Sequence, residues 1–352
     1  MPLFMFKMKS NNTWGRSMRF SLYGLVKFAI GCLLTLAISL PAVAGLYKCV
    51  DRHNKTFYQD MPCQEMTSEK LPYTLAKSPG EGDERAFFWK ATNGKGVLYL
   101  LGSLHFGAQS FYPLPQVVNN AFINSDVLVV EADINNLSSK EMAGGLPGKG
   151  RYADKSKLED HIKRITWNKT LELANKLELN DELLASVKPW LAALMLNAQS
   201  LKREGYNAEQ GIDNFFTQQA SNKKPVMELE SEQDQINLFD QLSDLEQEQL
   251  LLHTLKELNH GPEYHKGVVE AWKKGDVEAM DLIVRQSFDT GQLSSKLFNI
   301  FFLERNERMA NRLIDLSNDG RTYFVVVGSG HLSGEKGILK LLEQKGFAIT
   351  QP

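Results

Sequence analysis

The sequence is poor in cysteine, in long hydrophobic runs and, beyond its first segment, in excess positive charge. Three cysteines in 352 residues are too few for a disulfide-built scaffold. Residues 1–44 hold five basic and no acidic residues, so the rest of the chain has 35 basic and 42 acidic residues, a net charge of −7. A chain this acidic lacks the positive surface that phosphate backbones require, which excludes nucleic acid as an expected partner.

The single long apolar run, residues 28–40, predicts a secretory signal peptide over residues 1–44. Its 13 residues fall short of the roughly 20 that span a bilayer, and Pro41 interrupts it. A basic stretch precedes the run and an Ala-x-Ala site ending at Ala44 follows it. We therefore expect an exported protein, periplasmic or secreted in a bacterium. An uncleaved segment that anchors the chain to a membrane is the open alternative.

Cleavage after residue 44 would leave Cys49 and Cys63, an even pair in an oxidising compartment. Residues 46–60 contain two β-forming runs around a polar turn, which predicts a β-hairpin. A Cys49–Cys63 disulfide would stabilise a hairpin that is marginal alone. A cysteine-based metal site is the weaker alternative, because two thiols and His53 fall short of tetrahedral ligation.

The hairpin segment also resembles a known module. The stretches YKCVD at 47–51 and FYQDMPC at 57–63 are similar to the DUF4124 module found at the N-terminus of exported bacterial proteins. The resemblance implies a small module over residues 45–66 and supports an envelope location. Residues 67–85 are polar and contain Pro-Gly-Glu-Gly, so we expect a linker there.

Residues 86–352 predict an α/β domain. Buried-strand runs at 97–102 and 126–133 flank a helical stretch at 114–125, and a second unit has strands at 322–327 and 347–350 around a helix at 337–344. Between the units we expect a large helical insertion with helices at about 155–178, from 188, after Ser231, at 264–286 and at 296–316, and a strand at 225–230. The predicted fold is thus a mixed or parallel central sheet built from two β-(GxxH)-α-β halves, preceded by a small disulfide-linked β-hairpin module.

The two halves share a Gly-x-x-His motif. Gly102-Ser103-Leu104-His105 and Gly328-Ser329-Gly330-His331 each leave the carboxyl end of a predicted strand, where open α/β sheets bind ligands. Glycine at the first position is expected to let the chain turn out of the sheet. Imidazole is the commonest protein metal ligand, so His105 and His331 are candidate ligands of one divalent ion.

Two histidines need a carboxylate to complete a hydrolytic metal site. The candidates are Glu131 and Glu230, which follow apolar strand runs; Glu228 and Asp133 are not excluded by strand periodicity. The alternatives are a salt bridge from Glu131 to Arg305 or Arg308 and a solvent-facing strand end for Glu230. The remaining histidines of the large domain are expected to be exposed on polar helices: His161, His253, His260 and His265.

Together these motifs resemble the TraB/GumN family, related to the Tiki metalloproteases. The resemblance lies in LLGSLHFG at 100–107, FYPLP at 111–115, DVLVVE at 126–131 and VVGSGHL at 326–332. Further similar segments are KPW at 188–190, GID at 211–213, LE at 229–230, AW at 271–272 and RN at 305–306. The resemblance implies an α/β domain and a divalent-metal peptidase activity, supported by Mn²⁺ or Co²⁺, with His105, His331, Glu131 and Glu230 at the motif positions.

The expected function is an exported metal-dependent hydrolase acting on a peptide or protein. The ion, which is Mn²⁺, Co²⁺ or Zn²⁺, would be held by His105, His331 and Glu131, with Glu230 accepting a proton and Arg305 stabilising an oxyanion. One alternative is a non-catalytic envelope protein that binds a peptide or other small ligand. A second is an esterase that uses His105 as a metal-free general base. The oligomeric state is left open.

Overall fold

The computed structural model describes residues 47–50, 56–59, 68–70, 86–132, 146–221, 223–259, 262–288 and 292–352. The predicted signal peptide, Cys63, Asp133 and His260 lie outside the described residues and stay predictions. Within the described ranges, no helix is both long and apolar enough to cross a bilayer.

The N-terminal module forms a three-stranded antiparallel sheet of β1 (Tyr47–Val50), β2 (Thr56–Gln59) and β3 (Ser68–Lys70). The central strand β1 pairs with both neighbours, and Cys49 lies opposite Phe57 of β2. The pairing of β1 and β2 is that of the expected hairpin. Strand β3 falls at the start of the stretch expected to be a linker, and the boundary between module and linker stays a prediction. The described residues contain no disulfide, and the Cys49–Cys63 bridge stays a prediction.

The large domain is built on a six-stranded mixed sheet with the strand order β7-β6-β8-β5-β4-β9. The strands are β4 (Phe88–Thr92), β5 (Val97–Ser103), β6 (Val127–Val130), β7 (Val226–Glu228), β8 (Thr322–Gly328) and β9 (Ala348–Thr350). Strands β7, β6, β8 and β5 are parallel neighbours, whereas β4 pairs antiparallel with β5 and with β9. The α/β class is therefore confirmed, and the sheet is mixed.

The two central strands carry the two Gly-x-x-His motifs side by side. Strands β5 and β8 are almost entirely buried, because apolar residues fill both faces of each. Their parallel register places Gly102 beside Val327 and Ser103 beside Gly328. The motifs therefore leave the same edge of the sheet in adjacent strands, as the sequence predicts.

The helices follow in chain order. They are α1 (Gln116–Ile123), α2 (Leu146–Lys149), α3 (Arg164–Lys176), α4 (Asp181–Ala185), α5 (Pro189–Arg203), α6 (Ile212–Ala220), α7 (Glu232–Asp240), α8 (Asp244–Leu258), α9 (Glu263–Lys274), α10 (Val277–Ser287), α11 (Gln292–Phe298), α12 (Glu304–Leu316), α13 (Ser329–Leu332) and α14 (Ile338–Gln344). A π-helical turn, Asn299–Leu303, joins α11 to α12.

Local signals explain several helix starts. Pro189 occupies the first turn of α5, where its missing N–H costs nothing. Ser231 and Asp234 form the predicted capping box at the start of α7. The helix expected at 264–286 is two helices, because Gly275 adopts a left-handed conformation (φ 61°) and Asp276 caps the next helix.

Two further differences from the sequence predictions affect the site. Strand β6 ends at Val130, three residues before the expected end, so Glu131 lies just beyond the strand rather than within it. Strand β4 was not predicted. It covers the outer side of β5 and pairs with β9 at the sheet edge.

Candidate functional site

The predicted site residues come together at the carboxyl edge of the parallel strands. Following the strand order, Glu230 comes after β7, Glu131 after β6, His331 after β8 and His105 after β5. All four are buried, with exposed fractions of 7% or less. The topology thus places two carboxylates and two imidazoles in a row along one edge.

His331 lies in the short helix α13 and is completely buried. Its Nδ1 forms a short hydrogen bond with Asn306 Oδ1, and Asn306 Nδ2 donates to the carbonyl of Lys336 at 2.8 Å. Burial, the Arg305 guanidinium and His105 together hold the pKa of His331 well below its ordinary value. His331 is therefore a neutral imidazole.

The second ring nitrogen of His331 is free for other chemistry. Nε2 is buried and has no hydrogen-bond partner among the described residues. It lies 3.9 Å from Glu131 Oε1. A buried lone pair without a partner carries a cost that a ligand, a metal ion or a water would relieve.

His105 lies in a bend two residues beyond β5 and faces a different partner. Its Nδ1 is 3.1 Å from Asp213 Oδ1, an ion contact rather than a well-aligned hydrogen bond. Ser103 Oγ donates to the same carboxylate oxygen at 2.7 Å. Burial lowers the pKa of His105, but the Asp213 carboxylate and, more weakly, Glu131 outweigh it, so the pKa is raised. Nε2 of His105 also has no partner within the described part of the chain.

The two glutamates share one arginine. Arg305 is fully buried, and its Nε and Nη2 donate to Glu230 at 2.9 and 2.6 Å while Nη2 also donates to Glu131. Glu131 accepts further hydrogen bonds from Gln235 Nε2 at 3.1 Å and from the Gly328 amide at 3.3 Å. Burial lowers the pKa of Arg305, but the two carboxylates outweigh it, and the guanidinium stays charged.

The contacts of Arg305 distinguish between the alternatives stated for Glu131 and Glu230. The salt bridge from Glu131 to Arg305 is present, and Glu230 is not solvent-facing, since it is 5% exposed and also contacts Arg308 Nη2 at 3.3 Å. Arg305 Nη1 donates to the Phe301 carbonyl at 3.3 Å. Each guanidinium nitrogen donates to protein, so Arg305 is the counter-charge of two carboxylates, and its expected role toward an oxyanion stays a prediction.

Gly102 is needed for packing, and neither motif glycine is needed for a turn. Gly102 is still within β5, and a Cβ there would meet the Phe87 ring at 2.4 Å and Ser329 Oγ at 2.9 Å. Its carbonyl accepts the indole N–H of Trp272 at 2.7 Å. Gly328 has φ −54°, which any residue can adopt. The expectation that these glycines release a backbone turn was therefore wrong.

The other candidates lie elsewhere. Glu228 is half-buried within the edge strand β7. His265 is 7% exposed and its Nδ1 lies 2.8 Å from Glu204, so the expectation of an exposed histidine was wrong there. His161 and His253 are partly buried: the first stacks on Tyr152, and the second lies 3.1 Å from Glu257.

The ring nitrogens of His105 and His331 are the groups best placed to bind a divalent ion. In the ranges that the structure describes, no three His, Cys, Asp or Glu side chains form a ready metal cluster. The two imidazoles nevertheless have the arrangement typical of metal ligands, with Nδ1 directed at an oxygen and Nε2 free. Glu131, 3.9 Å from His331 Nε2, is the nearest carboxylate donor. The donors available to an ion are therefore the two imidazoles and Glu131, whose carboxylate also pairs with Arg305.

Sequence reasoning missed the residues that orient these groups. Asp213 and Asn306 appeared only inside motif resemblances, Ser103 appeared only as part of the Gly-x-x-His motif, and Gln235 carried no signal at all. Asp213 lies in α6, within the helical insertion, and its neighbour Ile212 donates its amide to the Leu104 carbonyl beside His105 at 3.1 Å. Only the tertiary fold brings such residues to the site.

The fold and site define a mixed α/β domain with a buried His–Glu–Arg cluster at the carboxyl edge of its parallel strands. The chain belongs to the TraB/PrgY/gumN family, whose sequence profile matches residues 87–351. The match excludes residues 45–66, so the DUF4124 resemblance of that segment stays a prediction.

Curated relatives carry no assigned activity. The Escherichia coli (strain K12) uncharacterized protein YbaP is 28% identical over 250 residues, covering 71% of this chain and 89% of the relative. YbaP of Shigella flexneri is 28% identical over 245 residues, covering 69% and 87%. An uncharacterized protein of Treponema pallidum (strain Nichols) is 22% identical over 297 residues, covering 80% and 86%. No solved structure gives a significant match.

Proposed function

We propose that this protein is a metal-dependent hydrolase that cleaves a peptide or a related amide. The observation that carries the proposal is the pair of buried imidazoles that follow two adjacent strands, each with an unpartnered Nε2 and an Nδ1 directed at an oxygen. Such a pair, next to a carboxylate, is the donor set that a hydrolytic divalent ion uses. His105, His331 and Glu131 would hold the ion.

The roles of the chain's own residues follow from their surroundings. A bound ion would supply a water of lowered pKa and polarise the scissile carbonyl. Asn306 and Asp213 orient the two imidazoles. Arg305 pairs with Glu131 and Glu230 inside a buried cluster, since an unpaired buried carboxylate is costly. Glu230, held by two arginines, serves to anchor Arg305, and Glu131 is the carboxylate that faces His331.

A metal-free hydrolase is a second candidate, favoured by one specific observation. Glu131 is already neutralised by Arg305, so the cluster does not need a cation to balance that charge. The Asp213 carboxylate raises the basicity of His105, and His105 Nε2 has no partner in the described part of the site. In this version His105 is the general base that takes a proton from water.

Metal analysis and cleavage assays on the full-length chain test the proposal. We expect the purified protein to retain about one equivalent of Mn²⁺, Co²⁺ or Zn²⁺ and to cleave members of a peptide library monitored by mass spectrometry. His105→Ala and His331→Ala should lose the ion and at least about 100-fold of the cleavage rate, more than the loss of an outer partner causes. His161→Ala, a histidine that stacks on Tyr152, is the matched control.

The outcomes separate the candidates. Equal metal content and equal cleavage in wild type and both site variants would contradict the proposal. Full cleavage in the presence of a chelator would support the metal-free hydrolase with His105 as base. Saturable peptide binding without cleavage, unaffected by the chelator, would indicate the non-catalytic binding protein instead.

An envelope location remains part of the proposal. It rests on the leader-like residues 1–44 and on the cysteine pair. Fractionation of cells expressing the full-length chain, with mass determination of its N-terminus, tests it. Recovery of an uncleaved chain in the cytoplasmic fraction would contradict export.

A further inference from the structure

We infer that Asn306 is a positioning residue that fixes His331 as the tautomer protonated at Nδ1. The lone pair of Nε2 then stays available to a ligand on the side of the ring where Glu131 lies. The inference deepens the proposed function and rests on it only where a metal ion is concerned. Nothing in the family match or in the relatives assigns a role to Asn306.

The tautomer follows from a chain of donors and acceptors. A backbone carbonyl accepts but cannot donate, so the Asn306 atom bonded to the Lys336 carbonyl at 2.8 Å must be the NH₂ group. The other amide atom, facing His331 Nδ1, is then the oxygen, which can only accept. Nδ1 must therefore carry the proton, and in a neutral ring Nε2 is left as the acceptor.

The surroundings of Asn306 make this arrangement rigid. Asn306 is 2% exposed and follows Arg305 directly on α12. One helix turn thus supplies both the counter-charge of Glu131 and the acceptor that orients His331. A shift of α12 would change both groups together, so the helix couples the carboxylate and imidazole halves of the site.

His105 offers a built-in contrast. Its Nδ1 faces the Asp213 carboxylate at 3.1 Å, and Ser103 Oγ donates to the same carboxylate oxygen. A carboxylate can only accept, so Asp213 also favours a proton on Nδ1, but its charge favours the doubly protonated ring as well. The neutral amide of Asn306 orients His331 without adding a charge, and the β5 motif does not reproduce that arrangement.

Nitrogen NMR of ¹⁵N-labelled histidine tests the inference without any substrate. In the metal-free wild type we expect His331 to show one neutral tautomer with the proton on Nδ1. Asn306→Ala removes the acceptor and should give a mixture of tautomers or a switch to Nε2. Asn306→Asp retains an oxygen acceptor and should restore a proton on Nδ1. Asn311→Ala, on the exposed face of α12, is the matched control and should leave the His331 signals unchanged.

A wild-type His331 protonated at Nε2 alone would overturn the inference. This NMR measurement uses the wild type, so it does not depend on the folding of any variant. An unchanged single tautomer in a folded Asn306→Ala protein would overturn it as well. Because Asn306 also holds the Lys336 carbonyl, a merely structural role predicts lost stability but an unaltered His331 tautomer.

Cobalt binding gives an independent second readout. We expect Co²⁺, followed by its d–d absorption, to bind Asn306→Ala about 10- to 100-fold more weakly than wild type, as is typical when an outer partner of a histidine ligand is lost. Equal Co²⁺ affinity would overturn the role of Asn306 toward the ion. Failure of the wild type to bind Co²⁺ would contradict the proposed metal site, whereas the NMR result would still decide the tautomer.

Discussion

The ends of β5 and β8 carry the same Gly-Ser-x-His pattern and lie side by side, yet they surround their histidines with opposite charges. His105 faces the Asp213 carboxylate, and its pKa is raised. His331 faces a neutral amide, and burial together with the nearby Arg305 lowers its pKa. The shared pattern fixes where each imidazole lies, whereas residues distant in sequence fix its protonation.

The contrast extends to the serine of each motif. Ser103 Oγ donates to Asp213 and so supports the charged partner of His105. Ser329 Oγ instead donates to the Ser103 carbonyl and ties the two strand ends together. Neither hydroxyl contacts a ring nitrogen, so neither is arranged as an activated nucleophile.

Removing Arg305, which lowers the pKa of both histidines, should cause the largest loss of stability. Arg305→Met leaves two buried carboxylates without their counter-charge, and we expect a loss of about 3–5 kcal/mol in the free energy of unfolding. Urea denaturation measures it. Arg308→Ala, whose side chain is 53% exposed, is the control and should cost less than about 1 kcal/mol. Equal losses in the two variants would contradict a buried ion cluster.

Gly102→Ala acts first on the β5 side of the comparison, although its Cβ would also meet Ser329 Oγ of the β8 motif at 2.9 Å. A Cβ at this position would lie 2.4 Å from the Phe87 ring, and overpacking of this kind costs about 1–3 kcal/mol. Thermal unfolding measures the loss. Gly267→Ala in α9 meets only Ile283 at 3.9 Å, so this control should be neutral or slightly stabilising. An unaffected Gly102→Ala protein would show that the strand end adjusts freely.

The lowered pKa of His331 should appear in the pH dependence of stability. Below the ordinary pKa of 6.5 the unfolded chain takes up a proton that the folded protein does not, so stability falls as the pH decreases. The slope attributable to His331 is at most about 1.4 kcal/mol per pH unit. His331→Gln should lose this contribution below pH 6.5. Parallel profiles of unfolding free energy against pH in the wild type and in His331→Gln would contradict the lowered pKa of His331.

The contribution of His105 to the pH dependence of stability should have the opposite sign. Its raised pKa adds stability that is present below pH 6.5 and is lost as the pH rises through the folded-state pKa. Asp213→Asn removes the main cause, and we expect the His105 pKa to fall and a loss on the order of 1 kcal/mol at pH 6. Ser103→Ala keeps the carboxylate and serves as the control, so its His105 pKa should stay raised. Equal pKa values in the two variants would exclude Asp213 as the cause.

The sequence allowed the sheet and its site edge to be predicted to a useful extent. Buried apolar runs marked β5, β6 and β8, and the repeated glycine and histidine spacing placed His105 and His331 at the same edge. Glu131 and Glu230 were identified because each follows such a run. Strand ends carry these signals locally, so a single sequence is sufficient to find them.

Other features could not be predicted, for identifiable reasons. Asp213 and Asn306 lie on helices, where a polar residue usually faces solvent, and only long-range packing turns them toward the imidazoles. Glycine is needed at position 102 because a Cβ would meet Phe87, which lies outside the motif, and Ser329, which belongs to the other motif. Long-range contacts of this kind leave no periodic signal.

Site-resolved NMR titration of His105 and His331 in the metal-free wild type tests the central claim most directly. The account predicts that His105 titrates above the ordinary value of 6.5, while His331 stays neutral well below that value for as long as the protein is folded. Two histidines with the same pKa, or with the order reversed, would contradict the claim that their different partners set their protonation.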